Sequence, residues 1–199
     1  MPRERRNDFP GAWHHVMNRT IDGNLLFADD TDRRIFMTEL RGALAAFRAE
    51  LHGYCLMSNH YHLLIHTPDG GLSNTLQRTA SLFTQKMNTR RNRDGPLFRG
   101  RFNSVSPNDD AHLVNMSAYI HLNPVKAGLV KAPEDWGWSS ASAYFGIAER
   151  PDWLHTTTLI DILDAAGGTA GYRKFVMERL AYDMGAAEMG SDPSHESSD

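Results

Sequence analysis

Between positions 11 and 105 the apolar residues of this chain keep switching between a period of two and a period of 3.6. Segment 11–19, GAWHHVMNR, reads as a first strand. Residues 31–51 carry Phe36, Leu40, Leu44, Phe47 and Leu51 at helical spacing, with Asp30 or Thr31 as the N-cap. Two short strands follow, 53–57 and 60–67, around the turn-forming pair Ser58-Asn59. A second helix is predicted over 72–91, with Leu72, Leu76, Ala80, Phe83 and Met87 as its buried stripe and NRDGP (92–96) as its breaker. LFRGRFNSV (97–105) reads as a fourth strand with Leu97, Arg99, Arg101 and Asn103 on one face. The order strand, helix, strand, strand, helix, strand admits few topologies. It predicts an α+β, ferredoxin-like domain with helices over one face of a mainly antiparallel sheet.

A third helix is appended. It starts near Asn108 or Asp109 and runs to about Leu122, where Pro124 should end it, because the residue before a proline is pushed out of helical geometry. PVKAG then forms one turn closed by Gly128. Beyond Lys131, PEDWGWSSASAYFG and PDWLHTTTLIDILDAAGG suggest short helices packing aromatics onto the domain, and YRKFVMERLAYDMG a last helix. The expected division is a domain over 8–131, a helical extension over 132–184 packed on it, and a disordered acidic tail over 185–199. No apolar run approaches the roughly 20 residues of a membrane span, and the start lacks the apolar core of a signal peptide. The single cysteine, Cys55, sits in an apolar run and reads as a small core residue. Together these point to the cytoplasm.

The formal net charge of −3 hides a division. Residues 1–131 hold 17 Lys+Arg against 12 Asp+Glu, a balance of +5, and residues 132–199 hold 4 against 12, a balance of −8. Within 78–101 stand Arg78, Lys86, Arg90, Arg91, Arg93, Arg99 and Arg101, with Asp94 the lone acid. Such a segment is either a solvated helix face or a local field that attracts phosphates whatever the overall pI.

The strand YCLMSNHYHLLIHTP holds His60, His62 and His66 where an ordinary buried strand would hold aliphatics. Residues two apart on a strand project from the same side, about 7 Å apart. His60 and His62 are therefore placed either to share a divalent metal or to serve as structural histidines. His66 lies on that face about 13 Å from His62 and is a flanking or substrate-side residue rather than a third ligand. In the third helix Tyr119 and Asn123 are four apart, on one face with His112 and Asn115, and opposite Leu113, Met116 and Ile120. Either that polar stripe carries chemistry, or Tyr119 packs with its hydroxyl outward while Asn123 caps the turn at Pro124.

Five blocks, PGAWHHVMNR, YCLMSNHYHLLIHTP, LFRGRFNSV, YIHLNPVKAGLV and WGWSS, occur in the order and at the spacing of the REP-associated tyrosine transposases. The chain resembles that family over about residues 8–145. These are relatives of the single-tyrosine insertion-sequence transposases in the HUH endonuclease superfamily. The resemblance implies a ferredoxin-like HUH nuclease domain and a metal-dependent single-stranded DNA endonuclease and strand-transferase. It places the nucleophile at Tyr119, the metal ligands at His60, His62 and Asn123, and magnesium or manganese as the metal. It further implies single-stranded or hairpin DNA as partner, with the protein acting as a monomer or homodimer. Two positions depart from the family pattern: the aromatic Tyr61 between the histidines, and Arg99 where glutamine is common. Two other readings compete. One is a domesticated hairpin-DNA-binding protein without nicking activity. The other is a zinc hydrolase using His60, His62 and His66, which lacks the usual added carboxylate and leaves Tyr119 unused.

Overall fold

The computed structural model describes residues 8–21, 24–163 and 167–188, with side chains to 185. Its centre is a four-stranded antiparallel sheet: β1 (Ala12–Arg19), β2 (Glu50–Leu56), β3 (His60–Thr67) and β4 (Asn103–Val105), in the order β2-β3-β1-β4. Helices α1 (Asp30–Phe47) and α2 (Leu72–Arg90) supply the crossovers, completing the ferredoxin-like pattern. Both pack on the sheet face that carries Val16, Tyr61, Leu63 and Ile65, and Phe27, Phe36 and Phe83 fill the space between.

Helix α3 (Asp110–Lys126) lies on the opposite face, against Cys55, Met57 and Leu64. The expectation of helices over one face thus holds for α1 and α2 alone. The reason is the strand pattern. Leu64 and Cys55 alternate with Leu63, Ile65 and Leu56, so both faces of β2 and β3 are apolar and both need cover. Two short helices, α4 (Ala141–Tyr144) and α5 (Thr157–Ile162), and the longer α6 (Gly168–Glu188) complete that cover. They contribute Tyr144, Leu159, Tyr172 and Val176 to the same apolar cluster as α3.

A hydrogen-bonded chain ties this layer to the sheet. The buried His121 imidazole meets Ser140 Oγ through Nε2 at 2.7 Å and Tyr172 Oη through Nδ1 at 2.8 Å. Ser140 Oγ accepts from the Tyr54 backbone N–H at 2.9 Å, and Trp136 donates its indole N–H to the Leu56 carbonyl. The WGWSS block therefore stitches the extension to strand β2.

Five local expectations are corrected. Helix α1 stops at Phe47 rather than 51, because Arg48 turns left-handed (φ 56°) and Leu51 instead pairs with Ile65 in β2. Strand β2 accordingly begins at Glu50, not 53. The strand expected over 97–105 shrinks to Asn103–Val105, with Phe98 bridged singly to Thr20. Pro124 does not end α3. The turn around it is satisfied by Ala127 N–H to Asn123 O and Leu129 N–H to Pro124 O, and Gly128 (φ +67°) closes the helix. The final helix runs to Glu188, past the expected tail boundary at 185, and the rest of that tail, 189–199, lies outside the described residues. Cys55 is fully buried, and burial pushes its thiol pKa up to about 12, which fits a core residue. Among the described residues no helix is long and apolar enough to cross a membrane.

Candidate active site

The β1–β3 register sets the site. Met17 pairs with His62 and Arg19 with His60, so the two histidines stand at one end of the sheet on the α3 side. Their rings are 5.0 Å apart and nearly perpendicular. His60 Nδ1 contacts Asn59 Oδ1 at 2.7 Å, and His62 Nδ1 contacts His15 Nε2 at 2.9 Å. In each imidazole the inner nitrogen is thus engaged, which turns Nε2 toward the position a metal would take. For His62 to offer its Nε2 lone pair, Nδ1 must carry the proton and donate it to His15, a tautomer-fixing contact of the kind that orients metal-ligating histidines. Burial, helped by His15 and His60, holds His62 neutral, with its pKa down to about 2. Burial does the same to His15, down to about 4. Burial and then the Arg19 charge lower His60.

Helix α3 brings Tyr119 over this pair. Its ring lies edge-on to His62 at 5.7 Å and to His15 at 5.8 Å between centroids, yet remains 44% exposed. Asn123, one turn on, donates its side-chain N–H to the Tyr119 carbonyl at 2.8 Å, leaving Oδ1 as the ligand atom it could offer. Because the helix passes through Pro124, Lys126 reaches the same face, and its ammonium sits 5.2 Å above the Tyr119 ring while pairing with Asp183 of α6 at 2.7 Å. The donor set, two neutral imidazoles and an amide oxygen, fits a divalent cation whose remaining positions are completed by phosphate oxygens.

The basic segment divides. Lys86 pairs with Glu39 of α1. Arg90 holds Asp29 at 2.7 Å and Asp32 at 2.6 Å, and Arg91 holds Asp32 at 2.5 Å and the Leu25 and Leu26 carbonyls. These three charges are matched by acids of α1 and its cap, partners that the local sequence does not show. Arg93 donates to the Pro96 carbonyl. Arg78, Arg99 and Arg101 are exposed. The Arg99 backbone N–H bonds the Arg19 carbonyl, and Asn18 donates to the Gly100 carbonyl, so the LFRGRF loop lies beside the His60 end of β1.

The sequence reading missed His15, Arg19 and Lys126. The signal for His15 was available, since pairing β1 with β3 puts it on the His62 face. At the other end of β3, His66 does not join His60 and His62. It joins Glu50 and His52, whose ligand atoms all lie within 4.8 Å of one another, close enough to hold a metal.

No protein-family model matches the chain. A Haemophilus influenzae REP-associated tyrosine transposase is 33% identical over 98 residues, which cover 43% of this chain and 55% of that protein. Over that stretch the chain is similar to a REP-associated tyrosine transposase. It spans about half the length of the Haemophilus relative it matches. The structure of a REP-associated tyrosine transposase bound to a REP hairpin superposes with a TM-score of 0.65 at 21% identity, covering 78% of this chain and 92% of that one. That likeness establishes the shared fold. A Deinococcus radiodurans transposase structure matches more loosely, at a TM-score of 0.42 and 15% identity over 59% of this chain and 95% of that one, too low to carry an inference.

Proposed function

We propose that this protein is a metal-dependent endonuclease and strand-transferase for single-stranded DNA, acting beside hairpins of the REP type. The observation that carries this reading is the stacking of an exposed tyrosine, Tyr119, edge-on to the buried His62, whose neighbour His60 faces the same space. A structural tyrosine is usually buried, and this one stays 44% exposed beside buried histidines. The REP hairpin held by the structural neighbour supports the choice of DNA partner.

In this reading His60, His62 and Asn123 hold magnesium or manganese, which when bound supplies Lewis-acid stabilisation to the non-bridging oxygens of the scissile phosphate. The Tyr119 oxygen attacks phosphorus and the bond to the 3′ oxygen breaks. The proton lost by the phenol is balanced by the one the departing 3′-hydroxyl gains. The product is a 5′-phosphotyrosine, and a second 3′-hydroxyl reverses the step to join a new strand. Lys126 adds a positive charge beside the ring, and His15 fixes the His62 tautomer. Arg19, Arg99 and Arg101 border the His60 end and receive the phosphate backbone entering the site.

The test uses a REP-type hairpin oligonucleotide with a single-stranded flank, 5′ and 3′ labels on separate strands, and magnesium. The expected result is a denaturation-resistant protein–DNA adduct carrying the 3′ portion of the DNA, with a free 3′-hydroxyl on the other product. Tyr119→Phe should lose the adduct and keep hairpin binding. His60→Ala should lose cleavage, with a much smaller change in affinity. An adduct formed by the Phe variant, or cleavage by wild type in excess chelator, refutes the assignment.

A further inference from the structure

We propose that Glu50, His52 and His66 form a second divalent-metal site, suited to zinc, that cross-links β2 and β3 at the far end of the sheet. The proposal stands independently of the endonuclease reading, because it uses none of the residues at His60.

The site follows from the strand register. Glu50 pairs with His66, and His52, two residues on, projects from the same face as Glu50. After Leu51 with Ile65 the next pairing is Gly53 with Leu64, so His52 stands as an extra residue at a bulge. Three ligating groups converge there.

The separations suit a metal. Glu50 Oε2 is 2.8 Å from His66 Nδ1 and 3.3 Å from His52 Nε2. Ligand atoms about 2.0–2.1 Å from a tetrahedral zinc ion are roughly 3.3 Å from one another. Replacing the bridging protons with an ion therefore needs shifts of only a few tenths of an ångström on the two Glu50 edges. Two imidazoles and one carboxylate with room for a fourth ligand are a zinc-type donor set.

The rings are held in place. Trp13 lies against both, 4.3 Å from His52 and 4.7 Å from His66, stacked on the latter. His52 is 2% exposed, its Nδ1 has no hydrogen-bond partner among the described residues, and the 3.3 Å contact to Glu50 is its one polar side-chain contact. His155, exposed and 5.4 Å from the His52 ring, stands on the solvent side, its backbone N–H fixed to the Leu51 carbonyl. The Tyr144 hydroxyl donates to the His52 carbonyl. An ion at this point would join β2 to β3, at the opposite end of β3 from His60.

Metal-stripped full-length protein should be titrated with zinc by calorimetry, beside a His60→Ala/His62→Ala variant and a Glu50→Gln/His66→Asn variant. The His60/His62 variant should still bind one zinc ion at micromolar concentration or tighter, and its melting temperature should rise on binding. The Glu50/His66 variant should bind at this second site at least a hundredfold more weakly. Cobalt added to the His60/His62 variant should give the visible absorption of a four-coordinate ion. Circular dichroism confirms that each variant is folded, and His66→Asn alone serves if the double variant is not. Absence of zinc binding in the His60/His62 variant, or undiminished binding after substitution of Glu50 and His66, overturns the proposal. Failure of the DNA-cleavage assay leaves it untouched.

Discussion

His121 makes stability depend on pH in a way that can be worked out. The side chain is fully buried between Ser140 and Tyr172, and burial lowers its pKa from 6.5 to about 3. The Tyr172 hydroxyl donates to Ser117 Oγ, whose own proton goes to the Val114 carbonyl, so the Tyr172 oxygen accepts from His121 Nδ1–H and the neutral ring's Nε2 accepts from Ser140 Oγ. Burial in this uncharged setting disfavours a second proton on the ring. The folded state therefore refuses a proton that the unfolded chain takes up near pH 6.5. Between about pH 6.5 and 3 the unfolded state binds more protons, so stability is complete above that window and falls as the pH falls through it. From pH 7 to pH 5 the loss from this one group is about 2 kcal/mol. That figure follows from the unfolded value alone, since a folded pKa anywhere below about 4 gives the same answer. His121→Leu removes the two hydrogen bonds but leaves Ser140 its Tyr54 contacts and Tyr172 its 2.8 Å bond to Ser117. It should cost about 1–3 kcal/mol at pH 7. At pH 5 the gap between wild type and variant should narrow by about 2 kcal/mol. Urea denaturation of both proteins at several pH values measures the difference, in which the other buried histidines cancel. Parallel stability curves for the two proteins from pH 7 to pH 5 would refute the argument.

The remaining predictions concern the charges. Asp32 is wholly buried and held by Arg90, Arg91 and the Ala28 N–H, so replacing both arginines with alanine strands a carboxylate and should destabilise the fold by about 3–5 kcal/mol, read by chemical denaturation. Arg101→Ala should instead leave stability nearly unchanged. It should make the slope of log affinity against log salt shallower by roughly 0.7 if one phosphate contact on single-stranded DNA is lost, measured by binding titrations at several salt concentrations.

The strands, the two crossover helices and the histidine pair were legible because each is written in local periodicity. His60 and His62 needed only the rule that a strand alternates, and Tyr119 and Asn123 only the helical spacing of four. What stayed hidden was set by distant partners. Leu51 has helical spacing from Phe47, yet the pairing with Ile65 takes it into β2. With β2 started too late, Glu50 and His52 were assigned outside the strand, and their approach to His66 could not be seen. Arg90 and Arg91 read as open cations because Asp29 and Asp32 lie some sixty residues away in sequence. Pro124 obeys a local rule weaker than the buried packing of the helix that contains it.

The path of α3 settles what an interchange of that helix between two copies would involve. Tyr119 meets the histidines of its own chain. The same helix is wedged under the extension by His121, Tyr172 and Ser117, and at its end by the Lys126–Asp183 ion pair. A domain swap that carried the tyrosine to a second copy would have to break those bonds and expose Ile120, Leu122 and Tyr172 in passing, or move the extension along with the helix. Residues outside the candidate site thus fasten the tyrosine helix to its own chain.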